Sequence, residues 1–282
     1  MVICRYLDAE MREAIGALQE DGSVRPLIGV RSVTEGLRLA LAGAAGPLLG
    51  DPLAAAGLRP PIDRHEVWGA GVTYERSKGA RMEEAAPFGG ADVYDRVYSA
   101  PRPELFFKAT PSRVSEPGGE VVVRGDSEWS VPEPELALWL DPALKLLGIG
   151  LGNDVSARDI EAENPLYLPQ AKVHERCCAL GPGVLATADF DSVAAETIRM
   201  RIEREGAELF AGEISVSALR RRPEELIGYL GRDNRFPDGV VLLTGTGIVP
   251  PDEVSLAAGD EISISSQALG TLTNRVRKGA RS

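Results

Sequence analysis

The stretch PEPELAL at residues 132–138 places two glutamates at the start of an apolar run that is typical of a β-strand. Because successive strand side chains point to opposite faces, Glu133 and Glu135 project from the same face. A third carboxylate, Asp154, follows the next apolar run at residues 146–151. Three converging carboxylates repel one another unless a positive partner lies between them, and a hard divalent cation such as Mg²⁺ is the simplest partner. The alternative is that both glutamates lie exposed on an edge strand.

The overall charge limits the classes of partner. The chain has 282 residues, with 31 Lys and Arg against 42 Asp and Glu, which gives a net charge of −11. An acidic surface repels phosphate groups and argues against nucleic acid and anionic membranes as partners. A local cation and lysines still allow an anionic small molecule to bind. No apolar run approaches the ~20 residues of a membrane span, and residues 1–13 lack the pattern of a secretory signal, so we expect a cytoplasmic protein.

The chain divides by composition near residue 62. Beyond this point short β-like segments dominate, whereas the preceding residues contain a hairpin-like and a helical segment. The pair Pro60-Pro61 marks the expected boundary. We therefore predict an α+β, mostly β chain, with a small N-terminal α+β domain at residues 1–62 and a main domain at residues 63–282.

Further motifs accompany the carboxylates in a fixed order. They are GAGVTY at 69–74, PELFFK at 103–108, GNDVSARD at 152–159, AK at 171–172, LGP at 180–182 and TGTG at 244–247. In this order they resemble the fumarylacetoacetate hydrolase superfamily, from about Val67 to the C-terminus. The segment EAENPLYLPQAK at 161–172 is similar to its sugar-acid branch, the 2-keto-3-deoxy-D-arabinonate dehydratases, and not to the hydrolases.

The resemblance implies a fold and a metal centre. The fold is a mixed β-sandwich roll, which would make residues 63–282 the catalytic domain of a chain that is usually a homodimer or a higher homo-oligomer. Glu133, Glu135 and Asp154 match the superfamily's three metal ligands. The expected cofactor is Mg²⁺, with Mn²⁺ or Ca²⁺ as substitutes. A 2-keto acid can chelate such an ion through its carboxylate and keto oxygens, which polarises the C2 carbonyl and stabilises an enolate.

Several other residues are candidates for the site. Lys172 matches the family's lysine beside the metal, where an ammonium would bind the substrate's anionic end. We expect the aromatic residues before Lys108 to lie in the core and the Lys108 ammonium to reach the cleft and bind substrate. Thr246 lies between two glycines in a loop suited to binding a small ligand. Tyr167 and Gln170 are candidates to bind substrate hydroxyls.

The sequence departs from the family pattern at two positions that the hydrolases use to activate water. The hydrolases place a His three residues after the Tyr of the first motif, and a Glu three residues further on, to activate water. Here Tyr74 is followed at those positions by Ser77 and Ala80. Hydrolysis by the standard route is therefore not expected.

Without activated water, a chelated 2-keto acid can lose a proton from C3 and then a hydroxyl from C4. This β-elimination is the dehydration of a 2-keto-3-deoxy sugar acid. Glu104 is our candidate for the base, acting directly or through a water, and Glu161 and Glu163 are competing candidates.

The predicted function is a Mg²⁺-dependent dehydratase, a carbon–oxygen lyase, that converts 2-keto-3-deoxy-D-arabinonate to 2,5-dioxopentanoate. One alternative is an acylpyruvate or fumarylacetoacetate-type hydrolase or an oxaloacetate decarboxylase, which use the same enolate chemistry. Another, from a different class, is a non-catalytic sugar-acid binding protein.

Overall fold

The computed structural model describes residues 1–55, 57–75 and 100–280. Ser77 and Ala80, where the hydrolases carry their His and Glu, lie outside the described residues.

Strands dominate the described part of the chain, as the sequence predicts. In chain order they are β1 (Val2–Leu7), β2 (Glu13–Leu18), β3 (Val24–Pro26), β4 (Gly57–Arg59), β5 (Glu66–Gly71), β6 (Glu104–Ala109), β7 (Val114–Ser115), β8 (Glu120–Val123), β9 (Ser130–Val131), β10 (Pro134–Leu140), β11 (Leu146–Asp154), β12 (Ser156–Ala157), β13 (Cys178–Ala186), β14 (Thr197–Arg204), β15 (Ala207–Ser215), β16 (Val240–Leu243), β17 (Glu261–Ser266) and β18 (Gly270–Lys278).

The helices in the described residues are short. They are α1 (Val33–Leu41), α2 (Arg158–Glu163), α3 (Leu168–Lys172) and α4 (Pro223–Leu230), and a 3₁₀ helix at Pro165–Tyr167 joins α2 to α3. None of the described helices is long and apolar enough to cross a membrane. The content agrees with the predicted α+β, mostly β class.

The strands of the described residues form two main sheets. The larger has 11 strands in the order β3-β2-β1-β13-β11-β10-β16-β5-β6, with β4 paired to β1 and β7 to β13. The second has five strands in the order β15-β14-β17-β18-β8. The small pair β12-β9 lies apart from both.

Strand β10 lies inside the larger sheet and is buried along its whole length. It pairs antiparallel with β11 on one side and with β16 on the other. Leu138 and the side chains that share its face belong to one hydrophobic cluster, whereas Trp139 on the opposite face belongs to a second. A strand that is covered on both faces has a continuous apolar sequence instead of an alternating one. This explains the apolar segment LALWL of β10.

Strand β14 in the smaller sheet shows the opposite pattern. Ile198, Met200 and Ile202 are buried in the same cluster as Leu138, while Arg199 and Arg201 between them are exposed. The alternation places one face of this sheet against the core and the other in solvent.

The N-terminal segment extends the larger sheet. β1 pairs with β2 and also with β13 near Leu185. Ile3 and Leu37 from this segment share a hydrophobic cluster with Trp139 and Val184. The domain boundary at residue 62 stays a prediction, and across it the backbone hydrogen bonding and the core are continuous.

Candidate metal centre and surrounding pocket

Three carboxylates converge where β10 begins and β11 ends. Glu133 directly precedes β10, Glu135 is its second residue, and Asp154 is the last residue of β11. One oxygen of each lies within 4.8 Å of the others. Because β10 and β11 are antiparallel neighbours, with Glu135 opposite Gly152, the start of one strand meets the end of the other.

These carboxylates are buried, not exposed on an edge. Their residues are 3%, 1% and 0% exposed, in chain order. The alternative of exposed glutamates on an edge strand is therefore wrong. Such a cluster needs positive partners, since burying a charge without one is strongly unfavourable.

Lys172 supplies one of these partners from the C-terminal end of α3. Its ammonium donates to Oε2 of Glu133 at 2.6 Å, to Oδ2 of Asp154 at 3.0 Å and to Oγ of Ser156 at 2.6 Å. The lysine is 2% exposed. The sequence-based placement of Lys172 beside the carboxylates agrees with this geometry.

Lys108 supplies a second partner, from β6. Its ammonium pairs with Oδ1 of Asp154 and donates to the carbonyl oxygens of Val155 at 2.9 Å and Lys172 at 2.6 Å. An ammonium has three protons, so these acceptors use its donors, and the residue is fully buried. Burial acts to lower the pKa of Lys108, but the Asp154 carboxylate counters it and the net shift is upward. Lys108 thus holds a carboxylate and a backbone turn in place, and its predicted contact with substrate stays a prediction.

Arg158, the first residue of α2, supplies the third cation. Its Nη2 and Nε lie 3.0 Å and 3.2 Å from Oε1 of Glu133. The next residue, Asp159, accepts from the Ser127 hydroxyl and the Glu128 amide, both at 2.7 Å, which fixes α2 to the loop before β9. Arg158 and Asp159 thus orient the Glu133 carboxylate and anchor α2.

Glu135 differs from the other two carboxylates in its partners. Its Oε2 accepts from the backbone amide of Gly245 at 2.5 Å. Burial, followed by the charges of Asp154 and Glu133, raises the pKa of Glu135 well above its usual value. A divalent cation between the three carboxylates would remove this penalty, since opposite charge favours the ionised form. The donor set of carboxylate oxygens therefore fits a hard cation such as Mg²⁺.

A pocket opens above the carboxylates. Its lining residues are Ala70, Gly71, Val72, Glu104, Phe106, Glu133, Glu135, Arg158, Glu161, Lys172 and Thr246. Glu104 and Phe106 lie on the face of β6 that also carries Lys108, because the three alternate along the strand. The Lys172 ammonium lies 5.1 Å from the centre of the Phe106 ring, within cation–π range.

The pocket contains some of the predicted site residues and not others. Glu104, Thr246 and the competing candidate Glu161 line it. Tyr167 and Gln170 are exposed and do not line it, and Glu163 is exposed as well. The roles predicted for Tyr167 and Gln170 in binding hydroxyls stay predictions.

Sequence reasoning missed three features of the pocket. Phe106 is buried, as expected for a core residue, but it also lines the pocket beside Glu104, which period-two alternation from Lys108 indicates. Ser156, which accepts from Lys172, follows Asp154 by two residues and was not singled out. Val72 lies in the left-handed region at φ 55°, an unusual conformation for a β-branched residue, and no sequence signal indicates it.

The comparisons with known proteins define the class to which this chain belongs. The profile of the family described as fumarylacetoacetate (FAA) hydrolase C-terminal matches residues 67–277. The chain is a member of the fumarylacetoacetate hydrolase family, and the predicted family and fold are confirmed.

Within the family, the chain is similar to sugar-acid dehydratases. It is 48% identical over 216 residues to the "Probable 2-keto-3-deoxyxylonate dehydratase" of Haloferax volcanii, covering 77% of this chain and 73% of that protein. It is 47% identical over 219 residues to the "2-dehydro-3-deoxy-D-arabinonate dehydratase" of Saccharolobus solfataricus, covering 77% and 74%. A solved structure of "2-keto-3-deoxy-D-arabinonate dehydratase complexed with magnesium and 2,5-dioxopentanoate" superposes with a TM-score of 0.86 at 37% identity, covering 100% of both chains.

Proposed function

We propose that this protein is a metal-dependent hydro-lyase that dehydrates a 2-keto-3-deoxy sugar acid, with 2-keto-3-deoxy-D-arabinonate as substrate and 2,5-dioxopentanoate as product. The observation that carries the proposal is the buried group of three carboxylates beneath a pocket that also contains Lys172 and Glu104. Two similar proteins are named as dehydratases of such acids. The reaction removes a proton from C3 and the hydroxyl from C4, which leave together as water. The resulting C3–C4 alkene then isomerises: one C5 proton and the C5 hydroxyl proton are lost and C3 and C4 each gain a proton, which makes C5 the aldehyde of 2,5-dioxopentanoate.

Glu133, Glu135 and Asp154 would hold the cation, which we propose to be Mg²⁺, with Mn²⁺ or Ca²⁺ as substitutes. The solved complex that contains magnesium supports this choice. When bound, the ion polarises the C2 carbonyl of a 2-keto acid and stabilises negative charge on its oxygen. Lys108 and Arg158 keep Asp154 and Glu133 oriented for this role.

The remaining pocket residues handle the substrate's charge and protons. The Lys172 ammonium, whose three protons are donated to protein oxygens, attracts the anionic end of the acid through its charge. Thr246 also lines the pocket. Glu104 moves a proton, either by taking it from C3 or by giving it to the departing C4 hydroxyl. Glu161 is 3% exposed in the same pocket and competes for that role.

The proposal extends to assembly and location. We propose that the protein forms a homodimer or a higher homo-oligomer and is cytoplasmic. We also propose that Lys108, Tyr167 and Gln170 contact the substrate. The arrangement of a small N-terminal unit at residues 1–62 and a catalytic unit at 63–282 is likewise proposed.

A panel of 2-keto acids tests the function. The protein is incubated with Mg²⁺ and each acid, and the products are resolved by mass spectrometry. Loss of water from 2-keto-3-deoxy-D-arabinonate is expected, with no appreciable cleavage of acylpyruvates because the sequence has Ser77 where hydrolases have His.

Each other outcome points to a different function. Carbon–carbon cleavage of acylpyruvates would promote the hydrolase, and loss of carbon dioxide from oxaloacetate the decarboxylase. Binding of the sugar acid without turnover would make the chain a binding protein. Incubation with EDTA is the control for metal dependence.

A further inference from the structure

The glycines of the motif GAGVTY lie opposite the pocket residues of the neighbouring strand. In the antiparallel pair of β5 and β6, Gly69 is opposite Phe106 and Gly71 is opposite Glu104. Residues directly opposite in such a pair project from the same face of the sheet. Each glycine therefore leaves open the space beside one pocket side chain.

At position 71 this space is filled by the side chain of Glu104. A Cβ built on Gly71 would lie 2.6 Å from Cδ and 3.3 Å from Cγ of Glu104, and closer still to Oε2. The three nearest atoms all belong to Glu104 and none to the backbone. The Glu104 side chain thus occupies the space in which a side chain at residue 71 would lie, and any such side chain would displace it.

The backbone of Gly71 does not itself require glycine. Its φ is not among the positive values of the chain, in contrast to Gly245 at 91°. An alanine can therefore adopt the local conformation, and the atoms it would meet are the end of a flexible side chain. The cost of Gly71→Ala falls on the position of Glu104 and not on the fold.

We propose that Gly71 is a positioning residue for the reaction, and that its missing side chain sets the location of the Glu104 carboxylate in the pocket. This inference rests on the proposed function, in which Glu104 transfers a proton. Proton transfer demands a donor–acceptor distance within hydrogen-bond reach, so a small displacement of the carboxylate suppresses it.

A double-mutant cycle tests the proposal. The wild-type protein, Gly71→Ala, Glu104→Gln and the double variant are compared for kcat and KM with 2-keto-3-deoxy-D-arabinonate and Mg²⁺. We expect Gly71→Ala to lower kcat at least tenfold, with KM and the Mg²⁺ dissociation constant from calorimetry changed less than threefold. In the Glu104→Gln background, measured by single turnover, the alanine should cost less than twofold.

Gly69→Ala is the matched control. A Cβ there would lie 2.6 Å from Cζ of Phe106 and not near Glu104. Its effect on kcat should therefore persist in the Glu104→Gln background. Equal losses from Gly71→Ala in both backgrounds, or unchanged kcat in the single variant, would overturn the proposal.

A crystal structure of Gly71→Ala provides a readout that does not depend on turnover. Displacement of the Glu104 carboxylate away from β5 is expected, and an unmoved carboxylate contradicts the inference. If the wild-type protein does not dehydrate the acid, the proposed function fails, and the crystal structure still decides whether Gly71 sets the position of Glu104.

Discussion

Strands β10 and β14 carry charged residues in opposite surroundings. All seven residues of β10, including Glu135, are buried, because neighbouring strands and both core clusters enclose it. In β14 the charged residues alternate with buried ones, and Arg199 pairs with Glu213 of β15 at 3.0 Å, with both side chains more than half exposed. Solvent reaches the charges of Arg199 and Arg201 in β14, whereas those at β10 depend on lysines, an arginine, an amide and the proposed cation. A charge without access to water can be used for chemistry, and one in water mainly provides solubility.

The largest effect is expected when the buried charge is removed from β10. Glu135→Gln should lower the dehydration rate at least ~10³-fold, because the loss of one of three carboxylates disrupts binding of the cation that polarises the substrate. Circular dichroism should show an intact fold. The matched control is Glu213→Gln on β15, which removes an exposed carboxylate and should leave the rate within about twofold. Retained Mg²⁺-dependent turnover in Glu135→Gln would refute the metal assignment.

Truncation of apolar side chains tests whether both faces of β10 are core. Leu138→Ala and Trp139→Ala act on opposite faces, and both residues are fully buried. Each should lower the free energy of unfolding by roughly 3–5 kcal/mol, from lost burial and the cavity left behind. Urea denaturation followed by fluorescence and circular dichroism measures the effect. A negligible cost at either position would mean that one face of β10 is not packed as described.

The pH dependence of the stability of the metal-free protein should reveal the cost of burying the charged Glu135 carboxylate. Because its pKa is raised in the folded state, the Glu135 carboxyl binds more protons in the folded protein than in the unfolded chain above pH ~4.3. The contribution of Glu135 to the free energy of unfolding therefore falls as pH rises through that range. In EDTA, Glu135→Gln should become more stable than wild type by on the order of 1 kcal/mol at pH 7.5, with a smaller gain at pH 4.5.

Thermal melts at both pH values measure this difference. A gain that is larger at pH 4.5 than at pH 7.5 would contradict the raised pKa. Added Mg²⁺ should stabilise wild type more than Glu135→Gln, because only the wild-type protein retains all three carboxylates.

The smallest effect is expected on the exposed face of β14. Arg201 pairs with Glu208 at 3.0 Å, but its side chain is 53% exposed. Arg201→Ala should change the free energy of unfolding by less than about 0.5 kcal/mol, since solvent and salt screen such pairs. Urea denaturation at low and high salt measures this change. A loss of stability similar to that of Leu138→Ala would show that Arg201 is not in the solvent-exposed environment described for β14.

The carboxylate cluster was predictable because it depends on local rules. Strand alternation places Glu133 and Glu135 on one face, and an antiparallel return brings Asp154 to the same end. The mostly β class and the family likewise followed from short strand patterns and ordered motifs. These features need only the spacing of residues along neighbouring strands.

Other parts of the site depend on packing that spacing does not encode. The sequence shows that Lys108 is charged but does not show where its ammonium lies. In the structure the ammonium is buried and contacts Asp154 and two backbone carbonyl oxygens. Tyr167 and Gln170 lie in the segment that resembles the sugar-acid branch, yet the turn from the 3₁₀ helix into α3 leaves them exposed. The role that we propose for Gly71 can be inferred only from the pairing of β5 with β6, which places it opposite Glu104.

The pairing of β1 with β13 also bears on how the chain folds. Ile3 is opposite Val184, and at the other end of the sequence Arg275 of β18 is opposite Glu120 of β8. Contacts so distant in sequence carry a high entropy cost of loop closure and slow folding. During synthesis β1 can pair with β2 early, but almost two thirds of the chain must be made before β13 is available to it. A nascent chain that stops short of β16 also lacks the strand that encloses β10 and the Gly245 amide that binds Glu135. The chain must therefore be synthesised as far as Gly245 before Glu135 has the amide that binds its carboxylate.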